Sequence, residues 1–156
     1  MLPFATGMPR YEVRETMSGT DKVLVRSGED RILAIRRRPE GGVYAHLTDP
    51  AEASLIAKVE RDASGTQFDM IAADGSRLAT LTVPPPIMKG PLLDVYDRSY
   101  SAGSPRDGAV RFADGSGDVV MSAQLDAGRV TIESTGALPR EVAILAGFVV
   151  YDKTRS

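Results

Sequence analysis

The side chains that usually carry catalysis are scarce in this sequence. It contains one histidine, His46, and no cysteine, so a cysteine nucleophile or a cluster of imidazole and thiolate metal ligands cannot be assembled. His46 stands between Tyr44 and Thr48 on the expected polar face of a strand, which favours a solvated histidine over a catalytic one. Carboxylate pairs such as Asp94 and Asp97 show no sign of a cleft that would raise a pKa. We therefore expect no enzymatic activity, no metal centre and no cofactor.

The segment Asp114-Gly115-Ser116-Gly117-Asp118 has oxygen-bearing side chains in the spacing that opens a calcium-binding loop. Such a loop then requires glycine where this chain has Val119, and a bidentate glutamate where it has Leu125. The glycines do not form a dinucleotide fingerprint either, because Val120 occupies the third glycine position. The segment is better interpreted as a tight turn between two strands.

The most prominent charge feature is Arg36-Arg37-Arg38, at the end of a predicted strand. Guanidinium groups bind phosphate through paired hydrogen bonds, so we predict that these arginines bind an anionic headgroup, with Lys58 extending the patch. Because consecutive side chains of a strand alternate between its faces, only Arg36 and Arg38 should point together. The alternative is a solvated strand end whose charge merely prevents pairing with another sheet.

Length, composition and charge limit the class of protein. The 156 residues suit a single domain, and a hydrophobic fraction of 42% with 26% charged residues is typical of a folded globular chain. The formal charge of −2 provides no overall attraction for nucleic acid, which we do not expect as a partner. Residues 1–10 lack the pattern of a secretion signal, and the apolar run 142–151 is too short to span a membrane. These features predict a cytoplasmic protein without a transmembrane segment.

The dominant pattern from residue 10 to residue 134 is the alternation of apolar and polar side chains that is typical of strands with one buried face. It predicts about eleven strands, separated by turns such as Asp74-Gly75 and those at residues 18–21 and 40–42, so most neighbours should be antiparallel. The proline-rich segment 84–91 and the serine- and glycine-rich segment 97–108 interrupt the alternation and are expected to be loops or crossings.

The C-terminal segment 139–153 departs from this alternation. Pro139 suits the start of a helix, Glu141 suits the positive end of the helix dipole, and Lys153 suits the negative end. Its β-branched residues leave a buried strand as the alternative. A helix that is apolar on every side has to be enclosed, so we expect the strands to form a wall around it.

This organisation resembles the tubby C-terminal-like superfamily, which includes the LURP-one-related proteins and the phospholipid scramblases. The residues that carry the resemblance are the strand–turn–strand unit FDMIAADGSRLATL (68–81) and the closing segment EVAILAGFVVYD (141–152), and the match covers nearly the whole chain. The resemblance implies a closed antiparallel barrel of about twelve strands around a central helix, and a role in phosphoinositide binding or other lipid-related processes. The chain lacks the cysteine-rich and proline-rich segments of the scramblases, which argues against scramblase activity.

The sequence is therefore consistent with two functions. The leading hypothesis is a non-enzymatic binding module for an anionic phospholipid headgroup at Arg36, Arg37, Arg38 and Lys58, peripheral at the membrane. The alternative is a protein–protein interaction or structural domain that meets a partner through exposed strand edges or the 84–91 segment. An enzyme or a hollow carrier would require an open barrel interior, which the helix is expected to fill. The sequence does not predict an oligomeric state.

Overall fold

The computed structural model describes residues 9–16, 22–38, 42–84, 90–103 and 107–155. The predicted turn at residues 18–21 lies outside these ranges, as do the first residues of the turn at 40–42. The middle of the proline-rich segment, residues 85–89, and residues 104–106 of the serine- and glycine-rich segment are also outside them.

Within the described ranges, twelve antiparallel strands form a closed barrel in which each strand pairs with its neighbours in the sequence and the first strand pairs with the last. The predicted barrel of about twelve strands is thereby confirmed. The strands are β1 (Arg10–Glu15), β2 (Lys22–Ser27), β3 (Asp30–Arg37), β4 (Val43–Thr48), β5 (Leu55–Arg61), β6 (Gln67–Ala72), β7 (Arg77–Thr82), β8 (Leu92–Val95), β9 (Arg98–Ser101), β10 (Ala109–Ala113), β11 (Val119–Asp126) and β12 (Arg129–Ser134).

Strand β6 illustrates why these segments form a barrel wall. Phe68 and Met70 are fully buried, whereas Asp69 between them is partly exposed, so one face of the strand meets the core and the other meets solvent. The hairpin to β7 turns at Gly75, whose φ of 93° is a conformation that glycine adopts without strain.

Strand β9 corrects the prediction that residues 97–108 are entirely loop. The segment Arg98–Ser101 pairs with β8 along its length, and it meets β10 at one pair of residues, Ser101 and Ala113. Its only buried side chain is that of Tyr100. One apolar residue in a short strand does not produce a detectable alternation, which explains the wrong prediction.

The helix α1 (Arg140–Arg155) fills the barrel. Residues 142–151 are buried on every side of the helix, and α1 packs against β1, β7, β11 and β12. Complete burial of large side chains such as Leu145 and Phe148 contributes about 1.5–3 kcal/mol each. The prediction of an enclosed apolar helix is confirmed and the alternative of a buried strand is wrong. In the described part of the chain, no helix is both long and apolar enough to cross a membrane.

Close packing between α1 and β12 depends on Gly147. A Cβ atom at this position would lie 2.4 Å from Cδ1 and 2.6 Å from Cγ1 of Ile132. The absence of a side chain therefore sets how near the helix approaches this part of the wall.

Candidate anion-binding site

Basic side chains from four adjacent strands lie side by side on the outside of the barrel. The register pairs Lys22 of β2 with Arg36 of β3, Arg36 with His46 of β4, and His46 with Lys58 of β5. Directly opposed residues share a face and have Cβ atoms about 4.5–5.5 Å apart. The face is the outer one, because neighbours along the strands such as Ile35 are fully buried. We call Lys22, Arg36, His46 and Lys58 the cationic row.

Glu52 bridges two members of the cationic row. Nε of Arg36 donates to Oε1 of Glu52 at 2.7 Å, and Nη2 donates to Oε2 at 3.1 Å. Nζ of Lys22 lies 2.9 Å from the same Oε2. Hydrogen bonds from Arg36 and then from Lys22 lower the pKa of Glu52 to about 2. This end of the row therefore holds a carboxylate in the two-point geometry that guanidinium groups also use for phosphate.

Lys58, at the other end of the row, pairs with Glu60. The Nζ and Oε2 atoms are 2.9 Å apart, and the two side chains are 34% and 41% exposed. An exposed pair of this kind is worth about 0–1 kcal/mol. Lys58 can therefore exchange Glu60 for another anion at little cost.

Arg38 lies close enough to the cationic row to influence it. The pKa of His46 is lowered by burial and further by the positive charges of Arg38 and Lys58. The Arg38 side chain is exposed to solvent, and its backbone N–H donates to the carbonyl of Tyr44 at 2.8 Å. Burial and these two positive charges thus disfavour protonation of His46.

Arg37 points the opposite way, towards the helix. Its Nη1 and Nη2 donate to the two oxygens of Glu15 at 3.1 and 2.8 Å, and its Nε donates to Oδ1 of Asp152 at 3.1 Å. The guanidinium carbon also lies 5.3 Å from the ring centre of Phe148. Burial would lower the pKa of Arg37, but the hydrogen bond from Arg37 to Glu15 and the charge of Asp152 outweigh it and raise the pKa.

Tyr44 completes the polar cluster around Arg37. Its hydroxyl donates to Oδ2 of Asp152, and its ring packs edge-on against Phe68, with ring centres 5.0 Å apart. Burial, followed by the hydrogen bond to Asp152, raises the pKa of Tyr44. The side chain turns inward because β4 carries a bulge between Val43 and Ala45, which gives this strand an extra residue opposite β5.

The structure therefore divides the four predicted binding residues into two groups. Arg36, Arg38 and Lys58 are near one another on the outer face, whereas Arg37 holds the end of the helix. Sequence reasoning did not include Lys22 or Glu52 in the site. The signal for Lys22 is its position opposite Arg36, which becomes visible only when the register of β2 and β3 is known.

Asp114 forms the turn that the sequence predicted. Its Oδ1 accepts hydrogen bonds from the backbone N–H groups of Ser116 and Asp118 at 2.9 and 3.0 Å. The turn thus uses the oxygen that a calcium loop would offer to the ion. Across the described ranges, no group of three or more His, Cys, Asp and Glu side chains is placed to hold a metal ion.

Comparison of the chain with models of known protein families and with curated proteins found no match. The function is therefore inferred from the geometry of the cationic row.

Proposed function

We propose that this protein is a non-enzymatic binding module of the tubby-like kind, and that it binds an anionic phospholipid headgroup on the outer face of its barrel. The observation that carries the proposal is the cationic row, in which Lys22, Arg36, His46 and Lys58 are successive cross-strand neighbours. Arg38 adds a further positive charge beside His46.

Electrostatics supports a ligand for this row. Lys22 and Arg36 are like charges placed directly opposite each other on neighbouring strands, an arrangement that destabilises a sheet unless an anion such as Glu52 lies between them. Glu52 and Glu60 offset only part of the positive charge on this face. A phosphate group between Arg38, His46 and Lys58 would offset the rest, and it would accept charge-assisted hydrogen bonds from all of them.

The filled interior supports a ligand that binds outside the barrel. Residues 142–151 of the helix are buried among the strands, so the space in which a hollow barrel would hold a small molecule is occupied. Twelve strands around one helix is also the arrangement that the tubby-like resemblance implies, and that family uses it for lipid-related roles. The proposal places the protein in the cytoplasm, at a membrane surface when the headgroup is bound.

The alternative of a protein–protein interaction domain has less support. This alternative required exposed strand edges. Each strand in the described ranges has a neighbour on both sides, and the edges of β9 and β10, which pair only at Ser101 and Ala113, are the most open place in the wall. The other feature that it invoked, the 84–91 segment, lies mostly outside the described residues.

Vesicle flotation tests the proposal with a matched pair of variants. Arg38→Gln/Lys58→Gln removes two charges from the face of the cationic row, and Arg98→Gln/Arg111→Gln removes two exposed arginines on β9 and β10. Wild type and the second variant should float with vesicles that contain phosphatidylinositol bisphosphate, whereas the first variant should not. Flotation should decrease as salt is added, because exposed charges are screened. Equal flotation of both variants, or none by wild type, would contradict the proposal.

A further inference from the structure

The carboxylate of Glu52 occupies the strongest anion-binding geometry on the face of the cationic row. Arg36 donates through Nε and Nη2 to both of its oxygens, at 2.7 and 3.1 Å, and Nζ of Lys22 lies 2.9 Å from one of them. A guanidinium fork with an adjacent ammonium group is equally suited to a phosphate. Glu52 therefore sits where a ligand phosphate would bind best.

The loop that presents Glu52 holds it in an unusual backbone conformation. Glu52 has a φ of 60°, which lies in the left-handed region of backbone conformation. Residues other than glycine, asparagine and aspartate rarely adopt this conformation. Its N–H donates to the carbonyl of Asp49 at 2.9 Å, and the Asp49 carboxylate accepts from the N–H groups of Ala53 and Ser54 at 2.7 and 2.9 Å. Strained conformations of this kind persist where the surroundings enforce them and are concentrated at functional sites.

The exposure of Glu52 also allows its carboxylate to leave Arg36 and Lys22. Its side chain is 25% exposed, and the adjacent Ala51 and Ala53 lie on the surface. A change of side-chain rotamer would release the carboxylate into solvent while the loop keeps its hydrogen bonds. Exchange with an incoming anion therefore requires no rearrangement of the barrel.

We propose that the carboxylate of Glu52 competes with the ligand for Arg36 and Lys22, and that a phosphate must displace this carboxylate to bind the two side chains. This inference rests on the proposed function and defines its ligand class. A tethered carboxylate competes at high effective concentration, so a singly charged phosphodiester displaces it poorly. A phosphomonoester, which carries nearly two negative charges, competes better. The site therefore selects headgroups or soluble molecules that carry phosphomonoesters.

The test compares Glu52→Gln with Glu29→Gln, a control that removes the same charge from the exposed turn between β2 and β3, at the opposite end of that hairpin from Lys22 and Arg36. Inositol trisphosphate serves as the soluble probe. Vesicles of phosphatidylinositol bisphosphate and of phosphatidylserine serve as the membrane probes. Glu52→Gln should bind inositol trisphosphate about fivefold more tightly than wild type, the factor that corresponds to a surface ion pair of about 1 kcal/mol. It should also gain binding to phosphatidylserine vesicles, and adding Arg36→Gln should abolish both gains.

The outcomes separate this inference from the proposed function. If wild type binds bisphosphate vesicles but Glu52→Gln binds no better than Glu29→Gln, the competitor role is wrong and the proposed function stands. The second outcome is that Glu52→Gln, shown to be folded by circular dichroism, binds none of the probes. In that case Arg36 and Lys22 do not bind phosphate even without the competing carboxylate, and both proposals fail. If the protein binds inositol trisphosphate but neither kind of vesicle, Arg36 and Lys22 bind soluble phosphomonoesters. That result would support the ligand class and overturn the membrane function.

Discussion

Nε of Arg37 on β3 donates a hydrogen bond to Oδ1 of Asp152 on α1 at 3.1 Å, and this contact joins the barrel wall to the end of its central helix. The same guanidinium group holds Glu15 of β1 through Nη2 at 2.8 Å. One arginine therefore connects two strands with the helix. Its neighbour Arg36 faces the opposite side of the wall, where it holds Glu52. Adjacent residues of one strand thus hold the helix on one side of the wall and Glu52 on the other.

Arg37→Gln should destabilise the fold, because it leaves the partly buried carboxylates of Glu15 and Asp152 without their shared cation. We expect the free energy of unfolding to fall by about 1–3 kcal/mol, which urea denaturation would measure. Arg38→Gln is the matched control on the exposed side and should change the stability by less than about 0.5 kcal/mol. Similar losses in the two variants would show that Arg37 does not anchor the helix.

Gly147→Ala should destabilise the fold even though alanine favours helices by about 1 kcal/mol over glycine. The new Cβ atom would lie 2.4 Å from Cδ1 of Ile132, so the isoleucine or the helix must shift. Overpacking of this kind is worth about 1–3 kcal/mol.

The effect should reverse sign when Ile132 is replaced by alanine. In the Ile132→Ala background, Gly147→Ala fills part of the cavity and should stabilise the protein. Thermal unfolding of the four members of this double-mutant cycle measures the coupling. Additive effects would indicate that α1 and β12 do not meet at these two residues.

Tyr96 should be a site where glycine improves stability. Its φ is 56° at the turn between β8 and β9, a conformation strained for a bulky residue, and its side chain is 75% exposed. Tyr96→Gly should therefore raise the free energy of unfolding by about 1 kcal/mol. Tyr96→Ala retains a Cβ atom and should give no such gain, so an equal effect of the two variants in thermal unfolding would refute the role of backbone strain.

His46 should make the stability depend on pH. Burial, followed by the charges of Arg38 and Lys58, lowers its pKa in the folded state, so the unfolded chain binds a proton more readily. Stability should therefore fall as the pH decreases from about 6.5, the pKa of an unperturbed histidine, through the lower folded value. Urea denaturation at several pH values should show a shallower decrease for His46→Gln. An identical decrease in this variant would assign the effect to other groups.

The strand and helix assignments could be predicted largely from the sequence, because each depends on a local pattern. The alternation in residues 67–72 predicts a strand without knowledge of its neighbours. The apolar run in 142–151 also fits a buried strand, and the flanking Pro139, Glu141 and Lys153 are what favour a helix. Strand β9 was missed because Tyr100 is its only buried residue. The inward turn of Tyr44 could not be predicted either, since it depends on a bulge in the pairing of β4 with β5.

The candidate site could be predicted only in part. The alternation of side chains correctly separated Arg37 from Arg36, but their partners depend on contacts between distant segments. Glu15 and Asp152 meet at Arg37 only when the barrel closes around the helix. Likewise, Lys22 and Glu52 reach Arg36 through the strand register and the conformation of a loop, which no local pattern in the sequence encodes.

The central claim is that phosphate binds on the cationic row, and the single histidine of the chain reports on it directly. Proton NMR of the His46 imidazole, followed during a pH titration with and without inositol trisphosphate, is the most direct test. We expect a pKa below that of free histidine without the ligand and a higher pKa with it, because a bound phosphate offsets the charges of Arg38 and Lys58. If inositol trisphosphate changes neither the imidazole signal nor the pKa of His46, the result contradicts phosphate binding at this face.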